Sequence, residues 1–112
     1  VFGCGGERDP GKRPEMGAIA DRLADNIVLT NDNPRAEDPL RILRQIESGI
    51  ERHKAVRIPD RREAIEFAIR QADSGDLILV AGKGHETTQV VGSERIPFSD
   101  QTVVANLLEE IC

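Results

Sequence analysis

The sequence predicts an α/β fold, Rossmann-like in outline: a mostly parallel sheet of about six strands, helices on both faces, and a C-terminal hairpin plus helix. Three observations predict it. Short apolar runs alternate with stretches of helical spacing. One run, DLILVAG (Asp76 to Gly82), is apolar on consecutive positions, the pattern of a strand covered on both faces. Glycine- and turn-rich loops follow the first, second and fourth runs, where open parallel sheets carry their ligand loops.

VFGCG (Val1 to Gly5) reads as the first strand. Met16, Ile19, Ala20 and Leu23 then give a helical face, with Pro14 suited to the first turn. NIVLT (Asn26 to Thr30) is the second strand. Asp38 caps the next helix ahead of Pro39, and Leu40, Leu43, Ile46 and Ile50 form its apolar face. KAVRIP (Lys54 to Pro59) is the third strand. Asp60 and Glu63 have capping-box spacing before a face of Ala64, Ile65, Ala68, Ile69 and Ala72. Ser74 and Gly75 end that helix, and DLILVAG is the fourth strand. QVVGSERIPF (Gln89 to Phe98) folds as a hairpin about Gly92 and Ser93. Ser99 or Asp100 caps a last helix with Val103, Val104, Leu107, Leu108 and Ile111 on one side. The expected strand centres are Cys4, Val28, Val56 and Leu79.

The 112 residues suffice for one domain with a real core. Aromatics make up 3% of the chain and the net charge is -5, which disfavours nucleic-acid and membrane-surface partners. Cys4 reads as a small core residue, and no metal-ligand spacing joins it to Cys112. Two cysteines without a disulfide framework fit a reducing cytoplasm. No apolar run approaches the length of a membrane span. The chain opens on Val1 and Phe2, so a fragment of a longer protein is expected.

Three loops carry the polar chemistry. GGERDPGKR brings Arg8, Asp9, Lys12 and Arg13. NDNPR brings Asp32, Asn33 and Arg35, with Pro34 stiffening the turn. GKGHE brings Gly82, Lys83, His85 and Glu86. Guanidinium groups grip carboxylates, and Asp32 and Glu86 can accept from an ammonium. Acids and bases together suit a zwitterion, such as an amino acid, better than a bare phosphate. Gly6 to Arg13 nearly matches a phosphate-binding P-loop, but Arg13 lacks the hydroxyl that would ligate Mg²⁺, and Glu7 and Asp9 would repel phosphate. Each motif also has a plainer reading. Arg8, Lys12 and Arg13 fit a solvated cluster, DNPR fits an ordinary turn, PDRRE fits capping alone, and His53 fits a surface site.

GCGGERDPGKRP, DNPR and GKGHE, in this order and spacing, resemble the C-terminal domain of the Mur ligases, specifically the branch that adds diaminopimelate in peptidoglycan biosynthesis. The resemblance runs the length of the chain. It implies a cytoplasmic, ATP-dependent ligase concerned with cell-wall biogenesis, cell shape and division. An N-terminal domain would bind the UDP-N-acetylmuramoyl dipeptide. A central domain would hold most contacts to ATP and Mg²⁺. The present domain would supply the pocket for meso-diaminopimelate, whose amine attacks the phosphorylated dipeptide carboxylate. Carried across, Arg8, Asp32, Asn33, Pro34, Arg35, Gly82 and Glu86 would bind diaminopimelate. Asp9, Lys12 and His85 would reach the nucleotide phosphates. No catalytic residue and no metal ligand is expected in this chain, which should be inactive alone. A stand-alone, non-catalytic binding domain for an anionic or zwitterionic metabolite is the alternative. A ligase that recycles intact tripeptide would have no need of DNPR.

Overall fold

The computed structural model describes residues 1–111; Cys112 lies outside them. Four helices form: α1 (Lys12–Leu23), α2 (Pro39–Glu47), α3 (Arg61–Gln71) and α4 (Asp100–Ile111). The sheet is much smaller than the sequence predicts. Strand β1 (Val28–Leu29) pairs in parallel with β2 (Val56–Arg57), Val28 opposite Val56 and Leu29 opposite Arg57. Strand β3 (Thr88–Val91) pairs antiparallel with β4 (Glu94–Pro97) through a turn in which Gly92 has φ +61°. Two separate two-stranded sheets therefore replace the expected six-stranded Rossmann-like sheet.

The missing strands have a physical explanation. The first apolar run contributes one parallel bridge, Phe2 to Leu29, with Phe2 N–H donating to Val28 O and Thr30 N–H donating to Phe2 O. Beyond it the glycine backbone stays against the second loop, Gly6 N–H donating to Asn33 O, without extending a ladder. The backbone pairing of DLILVAG with the first run is confined to Val1, whose amino group donates to Leu79 O and whose carbonyl accepts from Ala81 N–H. A strand needs a ladder, and apolar side chains alone do not make one. Leu77 and Leu79 are 95% and 72% exposed, so this run is not covered on both faces.

The core is gathered around α2. Ile42, Leu43 and Ile46 pack with Ile27 and Leu29, and Phe2, Cys4, Ala20 and Ile50 close around them. The Asp38 carboxylate caps α2 by accepting from Leu40 N–H at 3.1 Å, though Leu40 itself stays exposed. Asp60 caps α3 by accepting from Glu63 N–H at 3.0 Å. Ala64, Ile65 and Leu107 are buried where α3 meets α4.

Helix α1 corrects the sequence reading. Its buried line is Arg13, Gly17 and Asp21, while Met16, Ile19 and Leu23 face solvent. A Cβ on Gly17 would lie 2.0 Å from Ile46 O, so only glycine lets α1 approach α2 this closely. Asp21 accepts from the N–H groups of Glu51, Arg52 and His53 at 2.9–3.1 Å. The His53 ring completes this clasp, Nδ1 lying 2.8 Å from Asp21 Oδ1, so His53 is not a free surface residue. Burial alone would raise the Asp21 carboxyl. The three N–H donors and the ring outweigh it and hold the carboxyl well below its ordinary range.

PDRRE also does more than cap. Arg61 is buried and grips Asp100 through Nε at 2.7 Å and Nη2 at 2.8 Å. Its Nη1 and Nη2 also donate to Asn31 O and Ala81 O, each at 3.1 Å. This joins α3 to α4 and to two loop entrances. Asp100 is thereby an ion-pair partner rather than a cap, and Ser99 Oγ accepts from Thr102 N–H instead.

Candidate functional site

The first and second loops are locked together by backbone and by two arginines. Gly6 N–H donates to Asn33 O at 2.7 Å. Arg13 donates to both Glu37 oxygens, Nη1 to Oε2 at 2.6 Å and Nη2 to Oε1 at 3.0 Å. It also reaches Gln45 Oε1 and Gly5 O. Glu37 accepts from Glu7 N–H as well, and the Arg13 hydrogen bond heads the causes that depress its carboxyl to about 2. Where a P-loop carries a magnesium-binding hydroxyl, this chain has a buried tether. Arg13 is structural, neither solvated nor free for a ligand.

The DNPR turn is held from its other side by the hairpin. Arg35 N–H donates to Val90 O at 3.0 Å and Arg35 O accepts from Gly92 N–H at 2.6 Å. Gln89 Nε2 donates to Asp32 O at 2.7 Å. Arg35 has φ +54°, a left-handed conformation that side chains rarely adopt. Its Nη1 donates to Gly6 O at 2.8 Å and Asn33 O at 3.4 Å. Among the described residues no carboxylate pairs with its guanidinium. A Cβ on Gly5 would sit 3.0 Å from Arg35 Nη1 and 3.2 Å from Arg8 Cγ, so both arginine side chains flank the same glycine.

A cleft of about 310 Å³ opens here, lined by Arg8, Asp9, Lys12, Asp32 and Gly82. Cys4 and Met16 add sulfur to its wall, Sγ 3.4 Å from Sδ. Burial pushes the Cys4 thiol up to about 11, which leaves it protonated and unreactive at neutral pH. Burial likewise raises the Asp32 carboxyl, against the pull of Lys83 and Arg61. Asp32 Oδ1 is enclosed without a hydrogen-bond partner, although Lys83 Nζ stands 3.3 Å away as an ion pair.

Asn33 and Pro34 are buried beneath the turn rather than on the cleft wall. Asn33 Nδ2 donates to Glu86 Oε1 at 3.4 Å, which brings Glu86 to the second loop. Gly82 and Gly84 have φ of +109° and +58°, and they shape the loop that presents exposed His85 and Glu86. Asp9 accepts from Gly11 N–H at 2.9 Å, a local turn bond at the start of α1. The structure thus gathers Arg8, Asp9, Lys12, Asp32 and Gly82 on one cleft, with Arg35 beside it and Asn33 and Glu86 linked behind Asp32. His85 is not brought to the cleft wall. A larger hollow of about 780 Å³, between the hairpin and α3 and α4, carries none of the predicted residues. Sequence reasoning missed Glu37, Gln89 and the docking of the hairpin on DNPR. No local pattern signals these partners.

The family model for the Mur ligase glutamate ligase domain matches residues 1–84. The chain belongs to the Mur ligase family. It is 61% identical over 102 residues to the UDP-N-acetylmuramoyl-L-alanyl-D-glutamate–2,6-diaminopimelate ligase of Ralstonia nicotianae, covering 90% of this chain and 20% of that protein. It is 54% identical over 112 residues to the ligase of the same name from Geobacillus kaustophilus, covering 98% and 23%. A solved structure of a ligase of that name superposes with a TM-score of 0.93 at 46% identity, over 98% of this chain and 23% of that one. The chain spans about a fifth of the length of these Mur ligase relatives. Among the described residues no helix is long and apolar enough to cross a membrane, and no cluster of three or more His, Cys, Asp or Glu side chains could hold a metal.

Proposed function

We propose that this chain is the C-terminal domain of a cytoplasmic, ATP-dependent ligase of peptidoglycan biosynthesis. That ligase joins meso-diaminopimelate to UDP-N-acetylmuramoyl-L-alanyl-D-glutamate, and this domain binds and orients the diaminopimelate. The names of the relatives support the reaction. The observation that carries the binding role is the convergence of Arg8 and Arg35 on Gly5, with Asp32 on the same cleft and Glu86 linked to it through Asn33.

Diaminopimelate has two carboxylates and two ammonium groups. Arg8 and Arg35 face the carboxylates, and Asp32 and Glu86 face an ammonium. Pro34 and Asn33 hold the turn, and Gly82 leaves room beside Asp32, a Cβ there lying 3.4 Å from its Oδ2. Lysine lacks the second carboxylate and would leave a desolvated guanidinium without its partner. ATP, with its Mg²⁺, supplies the phosphoryl group that activates the dipeptide carboxylate, and the rest of the parent enzyme holds most of it. Lys12, exposed at the start of α1, is suited to the phosphates on charge. Asp9 lines the same cleft as Lys12 and His85 lies off it, and both take their place at the phosphates only when the parent enzyme closes on this face. The chain contains no G-x-x-x-x-G-K-[ST] and by itself does not form the amide.

The test is Arg35→Ala in the full-length enzyme. The loss of a charge-assisted bidentate contact is expected to cost about 2–4 kcal/mol, roughly 30- to 1000-fold in kcat/KM for diaminopimelate. KM for ATP should stay near wild type, and Arg35→Lys should recover only part of the loss. A diaminopimelate constant near wild type in Arg35→Ala would remove Arg35 as the carboxylate reader.

A further inference from the structure

Lys83 stands between two glycines in the third loop, a placement that invites reading it as a phosphate contact. Its environment excludes that. The side chain is 0% exposed, whereas Gly82, Gly84, His85 and Glu86 around it are exposed. Two of its N–H donors have hydrogen-bond acceptors, and the ammonium meets Asp32 as an ion pair. Nζ lies 2.9 Å from Asn33 Oδ1, 2.9 Å from Thr88 O and 3.3 Å from Asp32 Oδ1, with Glu86 Oε1 at 3.7 Å. Asn33 extends the same brace. Its Oδ1 also accepts from Val90 N–H at 2.9 Å, and its Nδ2 donates to Glu86 Oε1. The ammonium therefore ties the second loop, the third loop and β3 at one point.

Asp32 and Glu86 carry the same charge and would repel each other without a cation between them. We propose that Lys83 is a positioning residue of the candidate site: its enclosed ammonium holds Asp32, Asn33 and Glu86 in one constellation and offsets the repulsion of the two carboxylates. This rests on the functional reading above, in which those carboxylates meet the ammonium of the incoming amino acid. Lys83 does not touch substrate. The charged and titratable groups facing Asp32 are Lys83 and Glu86 of the third loop, Arg61 of α3 and Cys4 of the first loop. Arg61 is already committed to Asp100. Removing the Lys83 charge leaves a buried carboxylate with little compensation, so Asp32 takes up a proton at higher pH.

The experiment uses the full-length enzyme with Lys83→Met and Lys83→Arg, following kcat/KM for diaminopimelate and KM for ATP against pH. For Lys83→Met the expected result is a loss of about tenfold or more for diaminopimelate, carried mainly by KM, with KM for ATP changed less than about threefold. The acid limb of the diaminopimelate profile should move up by about one pH unit. Lys83→Arg should keep the limb in place while raising KM, because the charge remains but its reach differs. A loss uniform across pH with the limb unmoved, or one that falls on ATP, overturns the proposal. If Lys83→Met yields no folded protein, Lys83→Arg decides alone, and a wild-type KM in it is the overturning result. A crystal structure of the Lys83→Met enzyme is independent of turnover. Glu86 should move away from Asn33 there, and unmoved Asp32, Asn33 and Glu86 overturn the role. If the wild-type enzyme does not turn over diaminopimelate, the functional reading fails and that crystal structure still settles Lys83.

Discussion

Helices α1 and α2 pack against each other, yet they are buried in opposite ways. Helix α2 puts Ile42, Leu43 and Ile46 inside. Helix α1 puts Arg13, Gly17 and Asp21 inside and leaves Met16, Ile19 and Leu23 at 38%, 46% and 74% exposure. The second arrangement is stable only because each buried charge is met. Arg13 has two oxygens of Glu37, Gln45 and Gly5 O, and Asp21 has three backbone N–H groups and His53. Gly17 between them brings the helices into backbone contact. An apolar stripe therefore chooses a helix face only when no set of fixed polar partners on another face outweighs it. Helix α2 is held by the core, whereas α1 is mounted on the loops that form the candidate site.

Three substitutions in the 112-residue chain sharpen this contrast, read by chemical denaturation. Leu43→Ala should be the most damaging, at about 2–5 kcal/mol, since Leu43 is fully buried among apolar neighbours. A loss below about 1 kcal/mol would mean that α2 is not the centre of the core.

Glu37→Gln should cost about 1.5–3 kcal/mol at pH 7, because Arg13 loses its charged partner. The pH dependence has a definite sign. The folded Glu37 carboxyl sits at about 2, below its ordinary 4.5, so its contribution is fully present above pH 4.5 and is lost as pH falls toward 2. The gap between wild type and variant should close across that window. A gap that persists unchanged to pH 2 would show that the ion pair is not its source.

Leu23→Ala should change stability by less than about 0.5 kcal/mol despite its place on the apolar stripe. A loss comparable to that of Leu43→Ala would restore the apolar face as the buried one and erase the contrast.

Some of this architecture is legible in the sequence and some is not, and the dividing line is distance along the chain. Local signals held: the caps of Asp38 and Asp60, the turn at Gly92, and the four helical stretches depend on residues a few positions apart. The three polar loops were also visible as clusters, and Arg8, Asp32 and Gly82 do share a cleft. What failed depends on a partner far away. The DLILVAG run has strand composition but lacks a ladder beyond Val1. Asp100 looks like a cap until Arg61, 39 residues earlier, claims it. Lys83 looks like a loop cation until Asn33, 50 residues earlier, encloses it. Periodicity records what a segment offers; it does not record which distant group takes up the offer.

The left-handed backbone of Arg35 has a consequence for how this domain can change. An L side chain in that conformation costs about 1–2 kcal/mol relative to glycine. Replacing Arg35 by glycine would thus relax the turn while deleting the guanidinium beside Gly5 and its hydrogen bond to Gly6 O. Backbone ease and side-chain contacts pull in opposite directions at this one position. Glycine there would ease the backbone, yet it would also release the first loop from the second and remove the guanidinium that the proposed function assigns to diaminopimelate. The strain at Arg35 marks a place where the backbone is less relaxed than its own fold permits.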